Sequence, residues 1–356
     1  MTKIKKILII DDSALMRRIL CDIIEKEQYY KVTDCVGDGL AALEVLENKN
    51  FDCIFLDLHM PKMDGIAFLK ELKKKGRREK IVVISSTSSK GEKITLEALA
   101  LGAFDFIQKP QNILASKTGE FSGQIKNVLE AATYADTVSS GVPEKKLSNS
   151  FIKSEALTLE KHDGRKRIVA IASSTGGPNA LQKLIPLLPH NLAAPVVIVQ
   201  HMPVGFTKTL AERLNVTSEI SVKEAEDGEK LLRGHVYIAK GGQHLNFQGS
   251  HGDGYLYYSD EPAREGVKPC ANYLYESLAG SGYDEIVCVV MTGMGCDATE
   301  GITGLASKNK VHIIAQNQES CVVYGMPKSI VATGLVNQIV DLDHIAQEII
   351  KKVGVR

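Results

Sequence analysis

The 356-residue chain has no excess of either charge: 43 lysines and arginines stand against 43 aspartates and glutamates. A dedicated polyanion binder needs a positive field, and no basic recognition-helix pattern supplies one locally, so a nucleic-acid partner is not expected. Paired cysteine motifs are missing as well. Cys21, Cys35, Cys53, Cys270, Cys288, Cys296 and Cys321 are odd in number and scattered, with no C-x-x-C. That argues against a disulfide framework or zinc cage and favours reduced thiols in the cytoplasm. Long apolar runs are also absent at the start, where "ILII" runs straight into Asp11 and Asp12, so neither a signal peptide nor membrane insertion is expected. The phosphate-loop pattern G-x-x-x-x-G-K-[ST], the dinucleotide pattern G-x-G-x-x-G and the hydrolase elbow G-x-S-x-G do not occur.

What is present is alternation. "KILII", "KVTDCV", "FDCIFLDL", "KIVVIS" and "FDFIQKP" are separated by helix-length patterns, and a second series begins at "RIVAIA" and continues through "APVVIVQ", "EIVCVVMTG" and "VHIIAQ". Strands recurring between helices imply βαβ units, so the expected fold class is α/β with two doubly wound parallel-sheet domains. The first domain is expected over 1–121 and the second over 166–356, the latter with a small antiparallel insertion around 234–258. Between them, 122–165 is rich in serine, lysine and glutamate and reads as a flexible linker with at most a helical start.

In an open parallel sheet, ligands sit at the carboxyl ends of the strands. Asp11 and Asp12 follow the first strand, Asp57 ends the third, Ser85 ends the fourth and Lys109 follows the fifth. Clustered carboxylates suit a hard cation such as Mg²⁺, which would offset charge on a phosphoryl group transferred to one of them. Single aspartates after strands also serve as helix caps, but the joint pattern is more specific. With "DDS", "LDLHMPKMDG" and "KP", residues 5 to about 115 resemble the response-regulator receiver family, flavodoxin-like in fold. The resemblance implies phosphorylation of Asp57 by a histidine kinase and Mg²⁺ held by Asp11, Asp12 and Asp57. Phosphoryl sensing falls to Ser85 and Lys109, with Ser86 or Thr87 as alternative hydroxyls, and a backbone carbonyl at His59 as a further metal contact.

In the second domain three strand ends carry chemistry. "ASSTGG" stops a strand at a helix N-terminus, where free N–H groups favour negative charge; His201 ends the next strand, and Asp297 lies beyond a glycine turn after a third. A serine hydroxyl needs a base near neutral pH, and a carboxylate fixes the imidazole tautomer. Periodicity does not choose between Ser173 and Ser174, and the glycine turns also fit a nucleotide or partner site on a non-enzymatic response regulator. Asp284 lies on the wrong edge; His235, His244 and His251 sit at turns, and His312 reads as a packed strand residue.

"SSTGGP", "QHMPVGFTKTLAERLN", "YIAKGGQHL", "MTGMGCDATEGI" and "AQNQESCVVYGMP" together resemble the chemotaxis protein-glutamate methylesterases, the CheB family, whose catalytic domain is Rossmann-like. The resemblance implies a catalytic triad of Ser174, His201 and Asp297, an oxyanion donor at the Met294 N–H and a supporting Thr175. It also implies hydrolysis of glutamate methyl esters on methyl-accepting chemoreceptors, with glutamine deamidation in some members, release by phosphorylation of the first domain, a monomer in the cytoplasm and no cofactor for the ester step. The chain departs from the family pattern at Ala172-Ser173, Ala298, Asn317, Lys268, Cys270 and Asn272, which bears on substrate fit.

Overall fold

The computed structural model describes residues 4–86, 88–110, 119–134 and 163–356, so Thr87 and most of the expected linker lie outside the described residues. The first unit begins with β1 (Lys5–Ile10), whose last four side chains are fully buried, as a strand covered on both faces requires. There follow α1 (Ala14–Ile24), β2 (Tyr30–Val36), α2 (Gly39–Asn48), β3 (Cys53–Asp57), α3 (Gly65–Lys74), β4 (Lys80–Ser85), α4 (Ser89–Ala100), β5 (Asp105–Gln108) and α5 (Gly119–Tyr134). Ser13, Asp38, Asp64 and Ser88 accept backbone N–H bonds in the first turns of α1 to α4 and fix where those helices start. The strands are parallel in the order β2-β1-β3-β4-β5. Chain direction across the sheet reverses between β1 and β3, which opens a crevice at their carboxyl ends.

This unit runs past the expected boundary at residue 121. Phe121, Ile125, Val128 and Leu129 bury into one layer with α1 and the sheet, so 122–134 is a packed helix and not tether.

The second unit contains β6 (Arg167–Ser173), α6 (Gly177–Leu184), β7 (Val196–Gln200), α7 (Phe206–Thr217), β8 (Ser221–Glu224), β9 (Glu229–Lys230), β10 (His235–Ile238), β11 (His244–Ser250) and β12 (Asp253–Ser259). It ends with α8 (Ala271–Ser277), β13 (Glu285–Val290), α9 (Thr299–Ala306), β14 (Val311–Gln316), α10 (Met326–Ala332), β15 (Gln338–Val340) and α11 (Leu342–Val353). Its main sheet has 7 parallel strands in the order β15-β14-β13-β6-β7-β10-β8. The switch point lies between β6 and β13. A separate antiparallel sheet joins β11, β12 and β9. The antiparallel part differs from the expected 234–258: β9 joins it from before residue 234, whereas β10 pairs in parallel with β7 and β8, because Val236, Tyr237 and Ile238 are all buried in the main sheet.

The two units are packed together. The rings of Phe106 on β5 and Phe206 on α7 lie 4.5 Å apart, and Thr209 of α7 donates to Glu92 of α4 at 3.0 Å. Among the described residues no helix is long and apolar enough to cross a membrane.

The turn from β6 into α6 depends on Gly176, whose φ is 77° and where a Cβ would stand 2.5 Å from Val322. Gly176→Ala combines left-handed strain with overpacking and is expected to cost about 1–3 kcal/mol, read as a lower urea midpoint at unchanged m-value.

Candidate functional site

At the switch point of the first sheet, Asp11 and Asp57 are buried and Asp12 is exposed, with ligand oxygens all within 4.8 Å of one another. Lys109 Nζ lies 2.7 Å from Asp57 and 3.0 Å from Asp11. Burial works against its charged form, but the two carboxylates outweigh it and hold the ammonium above its ordinary pKa. Burial raises the Asp11 pKa, the nearby lysine opposing. Asp11 Oδ2 is buried and, despite the ion pair, lacks an aligned hydrogen bond. An under-satisfied buried oxygen beside two more carboxylates fits a hard divalent cation. Ser85 Oγ is 2.5 Å from Thr95 Oγ1 and donates to the Ser86 carbonyl at 3.3 Å, so its hydroxyl is tied to α4 and makes no bond to Asp57.

The second sheet places its candidates around its own switch point. The Ser174 N–H donates to the Thr292 carbonyl at 3.0 Å, joining the turns that follow β6 and β13. Gly293 lets them close: a Cβ there would lie 2.8 Å from the Ser174 Cβ. The neighbouring Met294 N–H makes no hydrogen bond among the described residues, which leaves it available as a donor. Ser173 is fully buried and donates to Gln200 Oε1 at 2.7 Å, whereas Ser174 is half-exposed. Gln200 Nε2 in turn donates to the carbonyls of Ser174 and His201, pinning the two loops together.

His201 Nε2 is 2.7 Å from Asp297 Oδ2. Asp297 also accepts from the N–H groups of Ala271 at 2.6 Å, Asn272 at 2.9 Å and Ala298 at 2.7 Å, and from the Cys270 thiol at 3.1 Å. Burial raises its pKa, but these donors, His201 foremost, outweigh that and bring it down to about 2. Ser174 Oγ makes no hydrogen bond to His201. Catalytic hydrogen bonds are often loose without substrate and tighten when it binds.

Three residues at the site were not legible as functional. His244, placed among turn histidines in the sequence, is fully buried; its Nδ1 accepts the Cys270 N–H at 3.1 Å and its Nε2 lies 3.1 Å from the Pro262 carbonyl. Gln200 reads as an ordinary strand end. Asp105 belongs to the first unit, yet its Oδ2 accepts the Thr175 hydroxyl at 2.6 Å, one residue from Ser174. Its half-buried carboxyl group sits between the units, and burial pushes its pKa up to about 6. No local pattern marks a contact made across 70 residues.

A group held low in the folded state contributes stability above its ordinary range, and that contribution is lost as pH falls from about 4 toward about 2. Cys270→Ala removes one donor to Asp297, so acid unfolding followed by circular dichroism is expected to begin at higher pH than in the parent. Cys270→Ser keeps a donor and is expected to track the parent.

Residues 7–116 match the response regulator receiver domain and residues 169–349 the CheB methylesterase family. A protein-glutamate methylesterase/protein-glutamine glutaminase of Bacillus subtilis is 40% identical over 350 residues, covering 97% of this chain and 97% of that protein. A relative of the same designation, numbered 1, in Syntrophomonas wolfei is 38% identical over 355 residues, covering 97% and 98%. The crystal structure of the Thermotoga maritima CheB methylesterase catalytic domain matches 55% of this chain and 100% of that one, with 39% identity and a TM-score of 0.51. The chain therefore belongs to the CheB methylesterase family, with a response regulator receiver domain ahead of the catalytic domain.

Proposed function

We propose that the protein is a cytoplasmic, monomeric, phosphorylation-activated esterase that hydrolyses glutamate methyl esters on methyl-accepting chemoreceptors and deamidates receptor glutamines through the same intermediate. The observation that carries this reading is the buried His201–Asp297 pair, 2.7 Å apart, beside a half-exposed Ser174 at one switch point. With Nε2 turned to Asp297, the neutral imidazole carries its proton there and presents Nδ1 as the base. Ser174 Oγ attacks the ester carbonyl and its proton passes to His201. The resulting oxyanion lies within the turn that offers the Met294 N–H, with Thr175 as support. His201 then protonates the departing methanol, or ammonia from a glutamine, and water hydrolyses the acyl-enzyme with His201 again as base. The ester step as proposed draws only on these protein groups.

In the receiver, Asp57 is the proposed acceptor of the phosphoryl group from a histidine kinase, with Lys109 and Ser85 meeting its oxygens. Asp11, Asp12 and Asp57 would hold Mg²⁺, which offsets charge during transfer. The receiver face formed by α4, β5 and α5 lies against the catalytic domain: Asp105 bonds Thr175, and Met294, Val322 and Val323 pack on the layer that contains α5. Phosphorylation is proposed to weaken this contact, a bias that needs only a few kcal/mol.

Methanol release from methylated receptor is expected to fall at least about a thousandfold in Ser174→Ala, while Ser173→Ala retains most of it. Equal release by Ser174→Ala and the parent would refute the mechanism and favour a non-enzymatic output domain.

Residues 163–356 alone are expected to outpace the unphosphorylated full chain under the same assay. The raised Asp105 pKa gives the contact a pH dependence. The protonated carboxyl favours the closed arrangement, an advantage complete below the ordinary carboxylate range and lost as pH rises through about 6. Asp105→Asn keeps an acceptor for Thr175 without the buried charge, so it should lower basal activity at neutral pH and flatten that dependence in scattering measurements of domain separation.

A further inference from the structure

Two of the seven cysteines have no part in either site and yet meet each other. Cys21 on α1 and Cys35 on β2 hold their sulfurs 3.5 Å apart, and among the described residues no other two cysteine sulfurs meet. Cys35 is exposed on the edge strand of the receiver sheet, and Cys21 is half-buried beneath it. Of the others, Cys53, Cys270 and Cys288 are buried, and the exposed Cys296 donates to Glu265 at 3.0 Å.

At 3.5 Å the sulfurs need to approach by only about 1.5 Å to reach bonding distance. We propose that Cys21 and Cys35 form a reversible dithiol site that a hydroperoxide converts to an intramolecular disulfide tying α1 to β2.

The two thiols have different tasks. Burial first, then the Cys35 sulfur and the neighbouring Glu25 and Asp22 carboxylates, push the Cys21 pKa up to about 12, which keeps it a thiol. Cys35, open to solvent, meets the oxidant. Its sulfur attacks one peroxide oxygen and the O–O bond breaks, giving a sulfenic acid and one water from hydrogen peroxide. Cys21 then attacks the Cys35 sulfur, the S–O bond breaks, and the Cys21 proton leaves with the hydroxyl as a second water. Two electrons pass from the pair of thiols to the peroxide, and a dithiol reductant reverses the change.

The position gives the bond a structural consequence. Arg17, one turn before Cys21 on α1, donates to the Asp11 carbonyl at 2.6 Å, and the Ser13 N–H donates to Asp11 Oδ1 at 2.8 Å. The disulfide would anchor the helix whose first turns position Asp11.

Reduced full-length protein treated with hydrogen peroxide and mapped by peptide mass spectrometry without reduction is expected to yield a Cys21–Cys35 linked peptide two hydrogens lighter, reversed by dithiothreitol. Cys21→Ser should leave Cys35 as a sulfenic acid trapped by dimedone, and Cys35→Ser should leave the Cys21 thiol titratable. Circular dichroism of each variant confirms folding before oxidation. Absence of the linked peptide, linkage mainly through another cysteine, or Cys35 sulfinic acid formed as readily in the parent as in Cys21→Ser would each overturn the proposal.

Discussion

The catalytic domain is organised around one buried charge. Removing the Asp297 carboxylate from water carries a penalty of several kcal/mol, offset only if donors surround it. Those donors come from separate segments: the start of α8, the Ala298 turn, and His201 at the end of β7. Satisfying the carboxylate therefore draws the segments to one point. Ala298 shows how strongly, since it adopts φ 80°, a left-handed conformation that costs a residue with a Cβ about 1–2 kcal/mol, while its N–H reaches Asp297 at 2.7 Å. His244 extends the same logic outward by holding the Cys270 N–H, so Cys270 contributes its thiol to Asp297 and its backbone to His244.

A second constraint joins the domains through one short strand. β5 is 4 residues long, with Asp105 at its start and Lys109 directly after its end. Lys109 bonds Asp57 at 2.7 Å, Asp105 bonds Thr175 at 2.6 Å, and Phe106 between them packs on Phe206. Under the proposed function, a phosphoryl group on Asp57 changes what Lys109 faces, and the strand that would respond is the one in contact with the neighbour of Ser174. The half-buried Asp105 carboxyl is a weak point in that contact at neutral pH, because ionising it there is opposed by burial. A contact of marginal strength is what a switch of a few kcal/mol requires.

What the sequence disclosed follows from range. Strands buried on both faces announce themselves as apolar runs, and residues at their carboxyl ends converge by topology alone; that is how Asp11, Asp57 and Lys109, or His201 and Asp297, are legible before any coordinates, whereas Ser174 is singled out from Ser173 only by the family resemblance. The limits are equally physical. "HVYI" has the composition of either sheet, so only pairing with β7 and β8 separates β10 from the antiparallel hairpin. The helix α5 looks solvated at its start, because its apolar side chains make sense only against α1 and the sheet. Gln200, His244 and Asp105 act through partners dozens of residues away, and no periodicity encodes such pairs.

The adjacent serines show where local reasoning ends and packing decides. Alternation along a strand sends successive side chains to opposite faces, so the chain permits only one of Ser173 and Ser174 to face the crevice. Periodicity states that exclusion without saying which, and the family resemblance implies Ser174. Packing distinguishes the two through Gln200: its Oε1 takes the Ser173 hydroxyl into the core, and its Nε2 holds the carbonyls on either side of the crevice. Ser173 is thereby spent on structure. Ser174, whose N–H is bound to Thr292, stays half-exposed at the crevice, which supports its proposed role as the nucleophile.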